Sequence, residues 1–187
     1  MFILAISPGE GFDEAPWRRV LASGIDAVMI REKRMDARPL LDLTRRVQDL
    51  APGLELWVNG RLDVALAAGC GLHAPEGHPE VPAGLLPLSR PLHDPASFDG
   101  RHQAQQLILS PVFETPGKGP ALGAGTLRTW LGALPPFPGR FLALGGIGPE
   151  NAGEIRHPRL AGVAMIRSLW NSPDPAGTVA RLREAWS

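Results

Sequence analysis

The sequence predicts an α/β protein folded as a single-domain (β/α)8 barrel, the TIM-barrel architecture, spanning residues 1–187. Three observations carry this expectation. About eight short apolar runs recur along the chain, most with β-branched or bulky residues. Stretches with helical spacing separate many of them, and such alternation favours parallel strands joined by crossovers. Polar residues gather directly after the runs, where the mouth of a parallel barrel lies.

The runs are Phe2–Ile6, Ala27–Ile30, Leu54–Val58, a weaker one at Cys70–Ala74, Leu85–Leu88, Leu107–Leu109, Phe141–Leu144 and Gly162–Ile166. Between the second and third, Leu40, Leu43, Thr44 and Val47 fall on one helical face. Arg61–Ala68 is a short, alanine-rich helix. Thr126–Leu134 carries Leu127, Trp130, Leu131 and Leu134, and Pro175–Trp186 carries Val179, Leu182 and Trp186. Asp94-Pro95 and Asp174-Pro175 each read as an N-cap followed by proline. A doubly wound open sheet would announce itself with a glycine-rich turn after the first strand. Ser7-Pro8-Gly9-Glu10-Gly11 matches that pattern only weakly. No linker or low-complexity segment divides the chain.

Composition narrows the partners. A 44% hydrophobic and 20% charged chain is ordinary for a soluble globular protein. The formal net charge of +0 offers no basic field, which disfavours nucleic acid and acidic membranes. No apolar run approaches the roughly 20 residues of a membrane helix. MFILAISPGEG lacks a basic leader and reads as a first strand, so a cytoplasmic location is expected. The single cysteine, Cys70, leaves no internal disulfide and no cysteine-based zinc site. The five histidines lack metal-ligand spacing, so no metal site is expected from them.

The strand ends supply the candidate chemistry. Arg31-Glu32-Lys33 sets two cations beside one acid, which suits a phosphorylated or diphosphate substrate and leaves Glu32 for proton transfer. Asn59 ends the third run, and the same residue type also caps helices through Asx-turns. His73 and His93 stand near strand ends and point toward the mouth in this reading. LILSPVFETPGKG brings Ser110, Glu114, Thr115 and Lys118 together after the sixth strand. Gly145-Gly146 precedes a helix-like stretch, where backbone N–H groups approach an anion closely. Arg167 after the last strand adds a guanidinium suited to phosphate, although a surface ion pair fits it equally.

Five segments in order resemble the thiamine phosphate synthase/TenI superfamily. They are Val28-Met29-Ile30-Arg31-Glu32-Lys33, Val58 through Leu66, Pro111-Val112-Phe113-Glu114-Thr115, Ala143 through Ile147, and Gly162 through Ile166. The resemblance implies a (β/α)8 barrel, often a homodimer, binding a thiazole phosphate. Gly145, Gly146, Ile166 and Arg167 would hold the phosphate. Arg31, Lys33, Asn59, His73, Ser110, Thr115 and Lys118 would meet the rest of the substrate.

The superfamily has two main activities. The synthase joins hydroxymethylpyrimidine diphosphate to thiazole phosphate with magnesium, using an Asp directly after the third-strand Asn and an acidic pair after the fourth strand. Here those regions read Asn59-Gly60 and His73-Ala74-Pro75-Glu76-Gly77. The tautomerase branch, resembled by Asn59-Gly60-Arg61 and Phe113-Glu114-Thr115, needs no metal. It keeps an acid at Glu32 but has a histidine where this chain has Pro111. The resulting expectation is a tautomerase-like protein with Glu32 as general base and no cofactor. A divergent synthase, with magnesium only in that case, and a non-catalytic thiazole- or thiamine-phosphate-binding regulator are the alternatives.

Overall fold

In the computed structural model, which describes residues 1–187, eight parallel strands close into a barrel in chain order. The chain runs β1 (Phe2–Ile6), α1 (Glu14–Leu21), β2 (Ala27–Ile30), α2 (Ala37–Leu50), β3 (Glu55–Asn59), α3 (Leu62–Ala68), β4 (Gly71–His73) and β5 (Leu88–Leu92). It continues through β6 (Gln106–Leu109), α4 (Gly123–Ala133), β7 (Arg140–Leu144), β8 (Leu160–Met165), α5 (Arg167–Trp170) and α6 (Pro175–Ala185). Short 3-10 turns stand after β5 and β7 in place of full helices, and no helix follows β4. The barrel closes where β1 pairs with β8, Phe2 opposite Gly162 and Leu4 opposite Ala164. The (β/α)8 expectation is met. No helix is long and apolar enough to cross a membrane.

Side chains alternate across each strand, and both faces of this sheet are buried, which is why its strands read as continuous apolar runs. Outward residues such as Ile3, Val28, Val58, Leu107 and Ala143 pack against helical Val20, Leu40, Val47, Leu127 and Leu182. Inward residues Leu4, Ile6, Met29, Trp57, Ile108, Leu142 and Ala164 form a separate cluster that fills the barrel. The Trp57 indole needs room there. A Cβ on Gly71, the neighbouring inward position of β4, would lie 2.4 Å from its ring.

The α2 stripe is buried as its spacing predicts, at Leu40, Leu43, Thr44 and Val47. Thr44 hides its hydroxyl by donating to the Leu40 carbonyl at 2.7 Å. Asp174 caps α6, accepting from the Gly177 N–H at 2.9 Å.

Three elements differ from expectation. The fifth strand begins at Leu88 rather than Leu85, and Leu85 is exposed in the preceding loop. The apolar Leu85 and Leu86 lie in the loop, while the strand itself carries polar Ser89 and Arg90 and also Pro91, so its apolar run is interrupted. Asp94 caps as predicted, accepting from Ala96 N–H at 2.9 Å, but only a 3-10 turn follows. Helix α1 was not anticipated. It buries only Trp17, Val20 and Leu21, too few positions for a readable period.

Candidate active site

The C-terminal ends of the strands surround a cavity of about 360 Å³. Its floor is the last inward apolar layer: Ile6, Met29, Ile108, Leu144 and Ile166. Above it stand Arg31 and Lys33 beyond β2, Asn59 at the end of β3 and His73 at the end of β4. Ser110 follows β6, and the loop beyond it delivers Thr115 and Lys118. Gly145 closes the wall after β7.

Strand alternation decides which polar residues reach this cavity. Met29 and Arg31 share the inward parity and line it; Glu32 has the opposite parity and does not. The Glu32 side chain is instead buried behind the mouth, where its carboxylate accepts from Ser7 Oγ at 2.6 Å and from the Gly11 N–H at 2.8 Å. Ser7 Oγ in turn accepts from the Arg31 N–H at 2.8 Å. The placement of Glu32 as a base within the cavity is therefore corrected: it ties the β1–α1 loop to the end of β2 and sets the backbone of Arg31. Glu32→Gln keeps an acceptor for Gly11 and should leave turnover within about threefold while costing ~1 kcal/mol of stability. Steady-state kinetics beside thermal unfolding checks this, and a hundredfold fall in kcat would restore Glu32 as the base.

Two phosphate-site candidates also fall outside the lining. Arg167 is exposed at the start of α5, and Gly146 lies just beyond Gly145 at the surface. The glycine pair has a structural reason of its own. Gly145 has φ +113°, and a Cβ there would meet Pro111 Cα at 2.9 Å. The β6–α4 loop lies flat on this strand end, with Val112 N–H donating to Leu144 O and Phe113 N–H to Gly145 O, both at 2.9 Å. Glycine lets these two backbones touch.

The cavity is electrostatically one-sided. Lys33 has its pKa lowered, first by the Arg31 charge, then by burial and by Lys118. Three cations thus crowd one space. The one carboxylate in the lining, Glu76, is bound to Arg101 at 2.6 Å. His93, which lines the cavity just beyond β5, donates its Nδ1 proton to the Ser110 carbonyl at 2.7 Å. His73 is buried, and its pKa is pushed down to about 4, chiefly by burial and then by Arg31, His93 and Arg90. Of the apolar floor, Ile6, Met29, Ile108 and Leu144 were missing from the sequence-derived site. Counting back in steps of two from Arg31 or Ser110 would have found Met29 and Ile108.

The model of the thiamine monophosphate synthase family matches residues 13–169. The chain belongs to this family. The thiamine-phosphate synthase of Moorella thermoacetica is 34% identical over 186 aligned residues, covering 89% of this chain and 85% of the relative. That of Syntrophomonas wolfei is 30% identical over 180 residues, covering 90% and 86%. Among solved structures, thiamine phosphate pyrophosphorylase from Pyrococcus furiosus superposes with a TM-score of 0.83 at 21% identity, covering 98% of this chain and 94% of its own. A native KDPGal structure superposes at 0.73 with 19% identity, so these structural likenesses speak to the barrel alone.

Membership of the thiamine monophosphate synthase family raises the question of magnesium, which the family resemblance places on a diphosphate. Magnesium takes oxygen ligands, usually one or two carboxylates beside substrate phosphates. No group of three His, Cys, Asp or Glu residues here is arranged to hold a metal ion. Gly60 follows Asn59 where a carboxylate would stand, and Glu76 is committed to Arg101. The residues of this cavity do not fit a magnesium site.

Proposed function

We propose that this chain is a thiamine-phosphate-synthase-type transferase that joins a hydroxymethylpyrimidine diphosphate to a thiazole phosphate without a protein-held metal. The observation that carries the reading is the convergence of Arg31, Lys33 and Lys118 on one cavity that also presents Ser110 and Thr115. In this reaction a C–N bond forms to the thiazole nitrogen, and the C–O bond to diphosphate breaks. The diphosphate leaves with the electron pair. The three cations take up that charge, the work that a metal would otherwise share. The names of the relatives support the same reading.

A tautomerase needs a proton donor and acceptor at the reacting centre. Glu32 is turned away from the cavity and Pro111 has no titratable group; of the two lining histidines, His93 is bonded to the Ser110 carbonyl and His73 is held neutral by burial. The synthase reading therefore displaces the tautomerase expectation. It carries a cytoplasmic location and a homodimeric assembly with it as proposals.

The test is product formation from the two purified substrates, with EDTA and with magnesium. Turnover that survives EDTA supports the reading. Gly60→Asp should then make the rate respond to magnesium; a Cβ at Gly60 meets nothing nearer than Pro75 Cγ at 3.8 Å, so the obstacle is φ +72°, which Asp tolerates better than most residues. Tight diphosphate binding with no turnover under any condition would replace the transferase with a non-catalytic binder.

A further inference from the structure

Five polar side chains cross the barrel interior from its N-terminal floor to its mouth. Arg140 on β7 donates through Nη2 to the Glu55 carboxylate on β3, which also accepts from Trp57 Nε1 at 2.8 Å. The Arg140 guanidinium lies over the Phe2 ring, 4.0 Å from its centre. Its Nε donates to Gln106 Oε1 at 3.0 Å. Gln106 Nε2 donates to Ser89 Oγ at 3.0 Å, and Ser89 Oγ lies 2.9 Å from His73 Nδ1. Gln106, Ser89 and His73 are all buried.

The direction of this chain of bonds is forced. A guanidinium only donates, so the oxygen of Gln106 faces Arg140 and its amide nitrogen faces Ser89. Ser89 therefore accepts from Gln106; its hydroxyl is fully buried with His73 Nδ1 as its one other partner, so its proton is satisfied only by donating there. An accepting Nδ1 places the proton of neutral imidazole on Nε2. His73 lines the cavity, and with Nδ1 committed, Nε2 is the ring nitrogen left for a ligand.

We propose that Arg140, Gln106 and Ser89 are positioning residues that lock His73 as its Nε2–H tautomer, a fixed, uncharged hydrogen-bond donor at the cavity wall. The charges that bear on His73 all oppose its protonation. Arg31 approaches from the β2 end, and Arg90 and His93 approach from β5. Asn59, paired to it from β3, is neutral, and Glu76 on the same wall is taken by Arg101. The cavity then offers two kinds of recognition. Its cations suit a diphosphate, and His73 suits an uncharged acceptor such as a heteroaromatic ring nitrogen. This ligand-facing half rests on the proposed transferase reading; the tautomer does not.

Long-range 15N–1H correlation spectra of the ligand-free protein between pH 6 and 8 read the tautomer directly. The expected result is one neutral His73 form protonated at Nε2. Gln106→Glu replaces the donor with an acceptor of the same shape, so Ser89 turns its proton to the introduced carboxylate and His73 must donate from Nδ1. That variant should shift the His73 signals to an Nδ1-protonated form and lower kcat/KM about thirtyfold. If Gln106→Glu does not fold, Ser89→Ala should leave a mixture of tautomers. Wild-type His73 protonated at Nδ1, or variant spectra unchanged from wild type, would overturn the proposal. Absence of turnover in every version would sink the transferase reading alone, since the spectra still decide the tautomer.

Discussion

Replacing Arg31 with methionine should lower kcat/KM for the diphosphate substrate about a hundredfold, equivalent to about 2.7 kcal/mol. Arg31 lines the cavity beside Lys33, and the cavity holds no free carboxylate through which a metal could substitute for it. A guanidinium binds phosphate oxygens through paired donors, and charge-assisted bonds of this kind are about twice as strong as neutral ones. Arg31→Lys should recover only part of the loss, because an ammonium lacks the planar fork. Arg31 is also the first cause of the lowered Lys33 pKa, so the two cations share one patch of the cavity. The backbone bond from Arg31 N–H to Ser7 is untouched by either change, which keeps the fold out of the comparison. Kinetics and calorimetric titration with diphosphate, both in EDTA, measure the effect. A change below threefold would remove Arg31 from the diphosphate site.

Acidification should destabilise the protein through His73. Its pKa is about 4 in the folded chain against 6.5 for a free histidine, because burial excludes the charged form. The unfolded chain therefore binds the extra proton first. The sign follows: this stability is fully present above pH 6.5 and is lost as pH falls through the window down to about 4. The loss is on the order of 3 kcal/mol across the window. His73→Gln, which cannot titrate, should flatten the pH dependence of unfolding in that range, read from denaturant midpoints at pH 7, 5.5 and 4.5. An equally steep wild-type and variant profile would show that other groups drive the acid transition.

Much of the barrel was readable because buried parallel strands announce themselves as apolar runs. Phe2–Ile6 and Ala27–Ile30 match their observed bounds. The fifth strand was shifted because Leu85 and Leu86 extend the apolar run into the loop while Ser89 and Arg90 interrupt it inside the strand, and α1 was missed because only three of its residues are buried. The lining of the candidate cavity was legible to a similar extent. Arg31, Lys33, Asn59, His73, Ser110, Thr115, Lys118, Gly145 and Ile166 line one cavity, as strand ends in a barrel should. Glu32 was misplaced by reading Arg31-Glu32-Lys33 as a cluster of charges rather than as alternating faces. The interior relay could not be read in advance. Glu55, Gln106 and Arg140 lie far apart in sequence, and only closure of the strands brings them together.

The seam between β4 and β5 is where the closed barrel should open first. β4 is three residues long and meets β5 through only two residue pairs, Leu72 with Leu88 and His73 with Ser89. No helix follows β4 to brace it from outside. Cooperative units with the fewest packed neighbours exchange their amide protons at the lowest cost. The Ala74 amide, which donates across this seam to the Ser89 carbonyl at 2.8 Å, should therefore exchange ahead of the amides of β6 to β8. One of the two residue pairs at this seam, His73 with Ser89, also carries the side-chain bond that orients His73, so an opening here should release the ring.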